Sequence, residues 1–207
     1  MTAARPLTMI ARRCLAVLLA GGLALPAVAQ SGLPLPDFVM ARGRQPAPLI
    51  QPAPPPAEIA PVAMLVDVSS GQVLHARNPD RRFVPASVTK VMTLYLAFDL
   101  IAQGRLDPRQ TMVMSPAIYR DWRRKGSNMY LDLGDQVSVS DLLMGIANVS
   151  ANDGSAVLAE GFAGSLPAWT AAMNAKASEI GMIGSYFASP NGWPDEGRTF
   201  TTARDLV

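Results

Sequence analysis

The chain has 207 residues, of which 49% are hydrophobic and 16% charged, with a formal net charge of +2. That length fits one domain with appendages, and the apolar share is ample for a buried core. A single histidine and a single cysteine leave almost no material for a zinc site or a histidine-based catalytic triad.

The N-terminus is the first segment with a character of its own. Arg5, Arg12 and Arg13 precede an apolar run from Cys14 to Val28, and Ala27-Val28-Ala29 closes it with a small-x-small pattern. A positive flank, a short apolar stretch and a small-residue exit read as a secretory signal over residues 1–29. The run is shorter than the ~20 apolar residues that span a bilayer. Its removal would leave 15 basic and 16 acidic residues, a formal charge of −1, so the basic balance of the whole chain gives no ground for a nucleic-acid partner. Residues 30–61 follow as a linker. Nine of the eighteen prolines lie between 31 and 61, and Pro54-Pro55-Pro56 forbids regular helix or central strand there.

Ordered structure is expected from Val62 to Val207. Val62 to Val68 is apolar and rich in β-branched residues, Ser70-Gly71 signals a turn, and Gln72 to His75 continues as a second strand, which makes a hairpin. After Pro85 a helix is predicted from Ser87 towards Ala102, ended by Gly104 and Pro108. A second helix begins near Ser140 with Asp141 at its positive end. A third follows Asp153 to about Ala163. A fourth begins at Ser165-Leu166-Pro167, aligns Trp169, Met173, Ala177 and Ile180 on one face, and ends at Gly181. Thr202-Ala203-Arg204-Asp205 is a capped helix start. The sequence stops one turn later, so the domain is expected to continue beyond Val207. A hairpin followed by helices implies an α/β (α+β) layout.

Two segments carry chemistry. In Pro85-Ala86-Ser87-Val88-Thr89-Lys90, Ser87 and Lys90 stand three apart, which places them on one helix face with Cβ atoms about 5–6 Å from each other. The apolar stripe Val91, Leu94, Tyr95 and Phe98 is expected to carry Lys90 inward. Burial favours the neutral amine, and a neutral amine beside a hydroxyl can take its proton. The Ser87 amide, at a helix start, could also support an oxyanion. The plainer reading is that Ser87 is a helix cap. The second segment is Ser150-Ala151-Asn152, in the break between the second and third helices. Ser150 could relay a proton and Asn152 could hold a substrate carbonyl, or both could serve only the turn. His75 reads as a strand-packing residue. The basic run Arg120, Arg123, Arg124 and Lys125 around Trp122 reads as a solvated helix face, with contact to an anionic glycan or peptide as the lesser reading.

Together these segments resemble the low-molecular-mass penicillin-binding proteins that act as D-alanyl-D-alanine carboxypeptidases, in which Ser-x-x-Lys is followed by Ser-x-Asn. Gly126-Ser127-Asn128-Met129-Tyr130, Ser189-Pro190-Asn191-Gly192-Trp193 and Thr202-Ala203-Arg204-Asp205-Leu206 match in order as well. The resemblance implies a β-lactamase/DD-peptidase-like fold. It implies Ser87 as nucleophile, Lys90 as its base, Ser150 as a proton relay and Asn152 as a substrate-binding group. It further implies peptidoglycan stem peptides as substrate and β-lactams as covalent inhibitors. No metal or organic cofactor is implied, and the setting would be the periplasm or the outer face of the cytoplasmic membrane.

The family's Lys-Thr-Gly motif does not occur after Lys90, Lys125 or Lys176. The strands that would complete the sheet, and any amphipathic membrane segment, are therefore expected beyond Val207. The 207-residue chain alone is expected to be inactive. Alternatives are a non-catalytic truncated penicillin-binding fragment, a DD-endopeptidase or a β-lactamase. The last is disfavoured because no Glu-x-x-Leu-Asn string occurs.

Overall fold

A computed structural model of the chain describes residues 59–207. The expected signal, 1–29, and all but the end of the expected linker lie outside the described residues.

Strands β1 (Ala63–Asp67) and β2 (Gln72–Arg77) form the expected antiparallel hairpin, with a register shift between Leu65 and Val66. The Asp67 carboxylate fastens its turn by accepting from the hydroxyls of Ser69 and Ser70, and these bonds hold its pKa below the ordinary carboxylate value. A 3-10 turn, Ala86–Val88, leads into helix α1 (Thr89–Ala102).

Two elements escaped the sequence reading. Strands β3 (Thr111–Val113) and β4 (Gln136–Ser138) pair antiparallel as a second two-stranded sheet. Each is only three residues long, too short to show an alternating pattern. Between them lies helix α2 (Pro116–Trp122), started by the Ser115 hydroxyl, which accepts from the Ile118 amide, and by Pro116. It makes two turns and buries only Ile118 and Trp122, so its periodicity is equally faint.

Helix α3 (Val139–Val149) is capped by the Ser138 hydroxyl, and Asp141 sits in its first turn. It ends at Ser150, which adopts a left-handed conformation with φ 57°. Helix α4 (Asn152–Ala163) begins two residues later. It starts before Asp153 rather than after it, because Asp153 turns inward as part of the first turn. Every residue from Asn152 to Ala159 is buried. Such a helix, apolar or small on all sides, can only be the centre of the domain. Small residues let its neighbours close in. A Cβ at Gly145 or Gly154 would meet the Met129 sulfur at 2.3 or 2.9 Å, so Met129 is wedged between α3 and α4.

Helix α5 (Leu166–Glu179), capped by Ser165, buries Trp169, Met173 and Ala177 as the spacing predicted. The four-residue α6 (Ala203–Leu206) is capped by the Thr202 hydroxyl. The core runs from Met92, Leu96 and Leu100 of α1 through Leu142 and Ile146 of α3 and Val157 and Leu158 of α4 to Trp169 and Met173 of α5. The tail crosses back to the start of the active segment: Phe83 bridges Thr201, and Tyr186 bridges Phe200. No described helix is long and apolar enough to cross a membrane.

Candidate active site

Helix α1 turns Lys90, Thr93, Ala97 and Leu100 inward. The expected stripe was the wrong one: Val91, Tyr95 and Phe98 are exposed. Both flanks of this helix are apolar, so periodicity alone could not choose between them. Packing chooses. Thr93 and Ala97 are small enough to receive α5, and the Thr93 hydroxyl lies 3.4 Å from Trp169 Nε1 and 3.5 Å from the Met173 sulfur. Lys90 is carried in on that face and is only 3% exposed.

The buried amine has two partners. Lys90 Nζ lies 3.2 Å from Ser87 Oγ and 2.8 Å from the carbonyl oxygen of Asn191. No carboxylate pairs with it among the described residues. Burial therefore pushes its pKa down from 10.5 to about 8. Ser87 itself is exposed, which leaves its hydroxyl open to a substrate while its base stays out of water. Ala86, immediately before it, has φ 48°. A non-glycine residue in the left-handed region is strained, and such strain persists only where the surroundings enforce it. Here Gly192 enforces it: a Cβ at that position would meet the Ala86 carbonyl oxygen at 1.8 Å.

The segment 189–193 is thus the wall behind the nucleophile. Pro190 O accepts from the Thr93 hydroxyl at 2.6 Å, Asn191 O accepts from Lys90, and Asn191 Oδ1 accepts from the Trp193 amide at 3.1 Å. Asn191 was not singled out from the sequence as a functional residue. The Asn-Gly pair marks a turn, but nothing in a turn signal says that its carbonyl receives a lysine over a hundred positions away.

Asn152 is buried at the start of α4. Its amide nitrogen Nδ2 donates to the Lys125 carbonyl at 2.8 Å, its backbone N–H donates to Ser127 O at 2.8 Å, and its own carbonyl accepts from Asn191 Nδ2 at 3.4 Å. Asn152 and Lys90 are therefore joined through Asn191. Ser150 is half-buried, and its side chain bonds to neither Ser87 nor Lys90. Its left-handed backbone reverses the chain within two residues so that α4 can begin.

Of the basic run only Arg120 lies on a solvated helix face, because α2 stops at Trp122. Arg123, Arg124 and Lys125 lie beyond it. The Lys125 ammonium sits 4.7 Å from the Trp122 ring centroid and 5.0 Å from that of Trp193, while the two rings meet edge to face at 6.2 Å. Lys125 thus ties α2, the Asn152 loop and the Asn191 wall together. Behind it, the buried Asp153 carboxylate accepts from the amides of Met129, Leu131 and Gly154. His75 lies on β2, as expected, with its Nε2 buried. Among the described residues, no group of three or more His, Cys, Asp or Glu is placed to hold a metal.

A hydroxyl exposed to solvent and bonded to a buried, charge-averse amine is an arrangement suited to acyl transfer. Comparison with known proteins points the same way. The model of peptidase family S11, described as D-alanyl-D-alanine carboxypeptidase, matches residues 50–207. The carboxypeptidase DacA of Haemophilus influenzae is 36% identical over 153 residues, covering 74% of this chain and 39% of that protein. The crystal structure of the carboxypeptidase DacD from Francisella tularensis is similar with a TM-score of 0.67 at 37% identity, over 72% of this chain and 35% of that one. Penicillin-binding protein 5 of Haemophilus influenzae follows with a TM-score of 0.66 at 36% identity, over 71% of this chain and 42% of that one. The chain spans about two fifths of the length of the curated relatives it matches. The described residues have the fold of these DD-peptidases.

Proposed function

Because the chain belongs to the D-alanyl-D-alanine carboxypeptidase family, we propose that the protein of which it forms part removes the terminal D-alanine from peptidoglycan stem peptides through an acyl-enzyme on Ser87. The observation that carries this is the 3.2 Å contact between Ser87 Oγ and a lysine amine that is 3% exposed.

With a pKa of about 8, roughly one tenth of the Lys90 amine is uncharged at pH 7. That fraction accepts the Ser87 proton as Oγ attacks the carbonyl carbon between the two D-alanines. The Ser87 amide supports the resulting oxyanion. As the intermediate collapses, the C–N bond breaks and the departing amine takes a proton, delivered from Lys90 with Ser150 as relay. Free D-alanine leaves and an ester on Ser87 remains. Water, deprotonated by the neutral Lys90, then hydrolyses the ester and returns the proton to Ser87 Oγ. Asn152 binds the substrate beside the nucleophile. A β-lactam would acylate Ser87 by the same attack on its strained amide, and the ring would keep the leaving amine tethered.

The setting we propose is outside the cytoplasm, with residues 1–29 as export signal and 30–61 as tether to a catalytic domain that begins at Val62. Donors for the substrate carboxylate and a second oxyanion donor would come from the longer protein, so the 207-residue chain alone is proposed to be inactive.

Fluorescent penicillin labelling of the full-length protein tests this reading. The parent protein should label, and Ser87→Ala should not. Labelling that persists in Ser87→Ala, or its absence from a folded parent, would remove the proposal.

A further inference from the structure

A shallow cavity of about 210 Å³ opens beside the loop that follows α2, lined by Arg123, Arg124, Asn128, Tyr130, Leu131 and Asp132. None of these residues takes part in the chemistry proposed above. The loop is nevertheless fastened to the site, since Lys125 O and Ser127 O both accept hydrogen bonds from Asn152.

Two features of the lining call for a ligand. Asn128 is only 7% exposed, and its Nδ2 donates to Gly126 O at 2.8 Å. That bond fixes the orientation of the amide, and Oδ1 is left buried without a partner. A buried acceptor with no donor costs about 1–3 kcal/mol, which a ligand N–H would relieve. The second feature is charge. Arg123 is held by stacking over Tyr119 at 4.8 Å, and neither it nor Arg124 pairs with a carboxylate among the described residues. Asp132 is the one acid in the lining, so a positive charge is left over. An arginine pair presents planar forks that suit a carboxylate.

We propose that this cavity is a subsite for a carboxylate-bearing part of the peptide substrate beyond its D-Ala-D-Ala end. The carboxylate is received by Arg123 and Arg124, and a neighbouring peptide N–H by Asn128 Oδ1. This rests on the carboxypeptidase reading and adds what the site prefers.

The test uses the full-length enzyme and two synthetic peptides ending in D-Ala-D-Ala. One carries a side-chain carboxylate on the residue preceding that end, and in the other the same carboxylate is amidated. In the double variant Arg123→Gln/Arg124→Gln, kcat/KM for the acidic peptide should fall about 10- to 50-fold. For the amidated peptide it should change less than about 2-fold, and penicillin labelling should be unchanged. Raising the salt to about 0.5 M should narrow the parent enzyme's preference for the acidic peptide. An equal fall for both peptides, or no fall for either, would overturn the subsite and leave the carboxypeptidase reading standing. A folded parent protein that does not label with penicillin would take both down.

Discussion

Lys90 Nζ lies 2.8 Å from the carbonyl oxygen of Asn191, a residue 101 positions further along the chain. A carbonyl is a neutral partner. It orients the amine towards Ser87 yet gives the ammonium none of the relief a carboxylate would. The lysine keeps its place and gives up its charge easily, which are the two properties a base needs.

The first prediction concerns pH. Acylation by penicillin should rise as pH increases through about 8 and then level off, because only the uncharged amine accepts the Ser87 proton. Stopped-flow acylation rates from pH 6 to 10 would check this. A profile still climbing steeply towards pH 10 would mean that residue 90 titrates like a free lysine.

Stability should carry the same signature. The folded pKa of Lys90 is lowered, so between about 8 and 10.5 the unfolded chain binds the extra proton and the folded one does not. Folding stability therefore gains with rising pH across that window, and below it the buried ammonium is a constant cost, on the order of 3 kcal/mol. The difference in unfolding free energy between the parent and Lys90→Met, measured by urea titration at several pH values, should move in the parent's favour from pH 8 to 10.5 and be flat below pH 7.

Gly192 should tolerate no side chain. Its φ is +72°, and a Cβ would lie 1.8 Å from the Ala86 carbonyl oxygen. Because that obstacle is backbone, the segment carrying Ser87 must move. Gly192→Ala should cost roughly 2–4 kcal/mol and lower the acylation rate by more than an order of magnitude. Thermal melting combined with penicillin labelling separates the two effects.

Lys125 should act on geometry through its ring contacts. Lys125→Met removes the ammonium from between Trp122 and Trp193 and should cost about 1–2 kcal/mol. It should also raise KM for a peptide substrate more than it lowers kcat, because the Asn152 loop loosens. Lys125→Arg, which keeps a cation over the rings, should recover most of both. Equal behaviour of the Met and Arg variants would count against the clamp.

Asp153→Asn is the sharpest test of the scaffold. Its carboxylate accepts from three backbone amides and is fully buried. An amide in its place turns a donor towards donors and should cost about 2–4 kcal/mol. A melting shift of under 2 °C would show that the loop satisfies itself in another way.

Much of this was legible in the sequence because it is local. Ser165 and Thr202 sit where caps belong, and the hairpin turn at Ser70-Gly71 follows from the residues present, whereas the helix expected near Ser140 starts at Val139 with Ser138 as its cap. Trp169, Met173 and Ala177 at helical spacing announced the buried face of α5. The three-residue separation of Ser87 and Lys90 was enough to bring them within 3.2 Å. What only the tertiary structure decided is everything that depends on a partner far along the chain. It chose which of two apolar flanks of α1 is buried, since Trp169 and Met173 fit against the small Thr93 and not against Tyr95 or Phe98. It gave Lys90 the Asn191 carbonyl, set Gly192 against Ala86, and placed Lys125 between two tryptophans. Local propensity and spacing are written in neighbouring residues. A buried amine's charge is set by whatever surrounds it, and those surroundings exist only after the chain has folded.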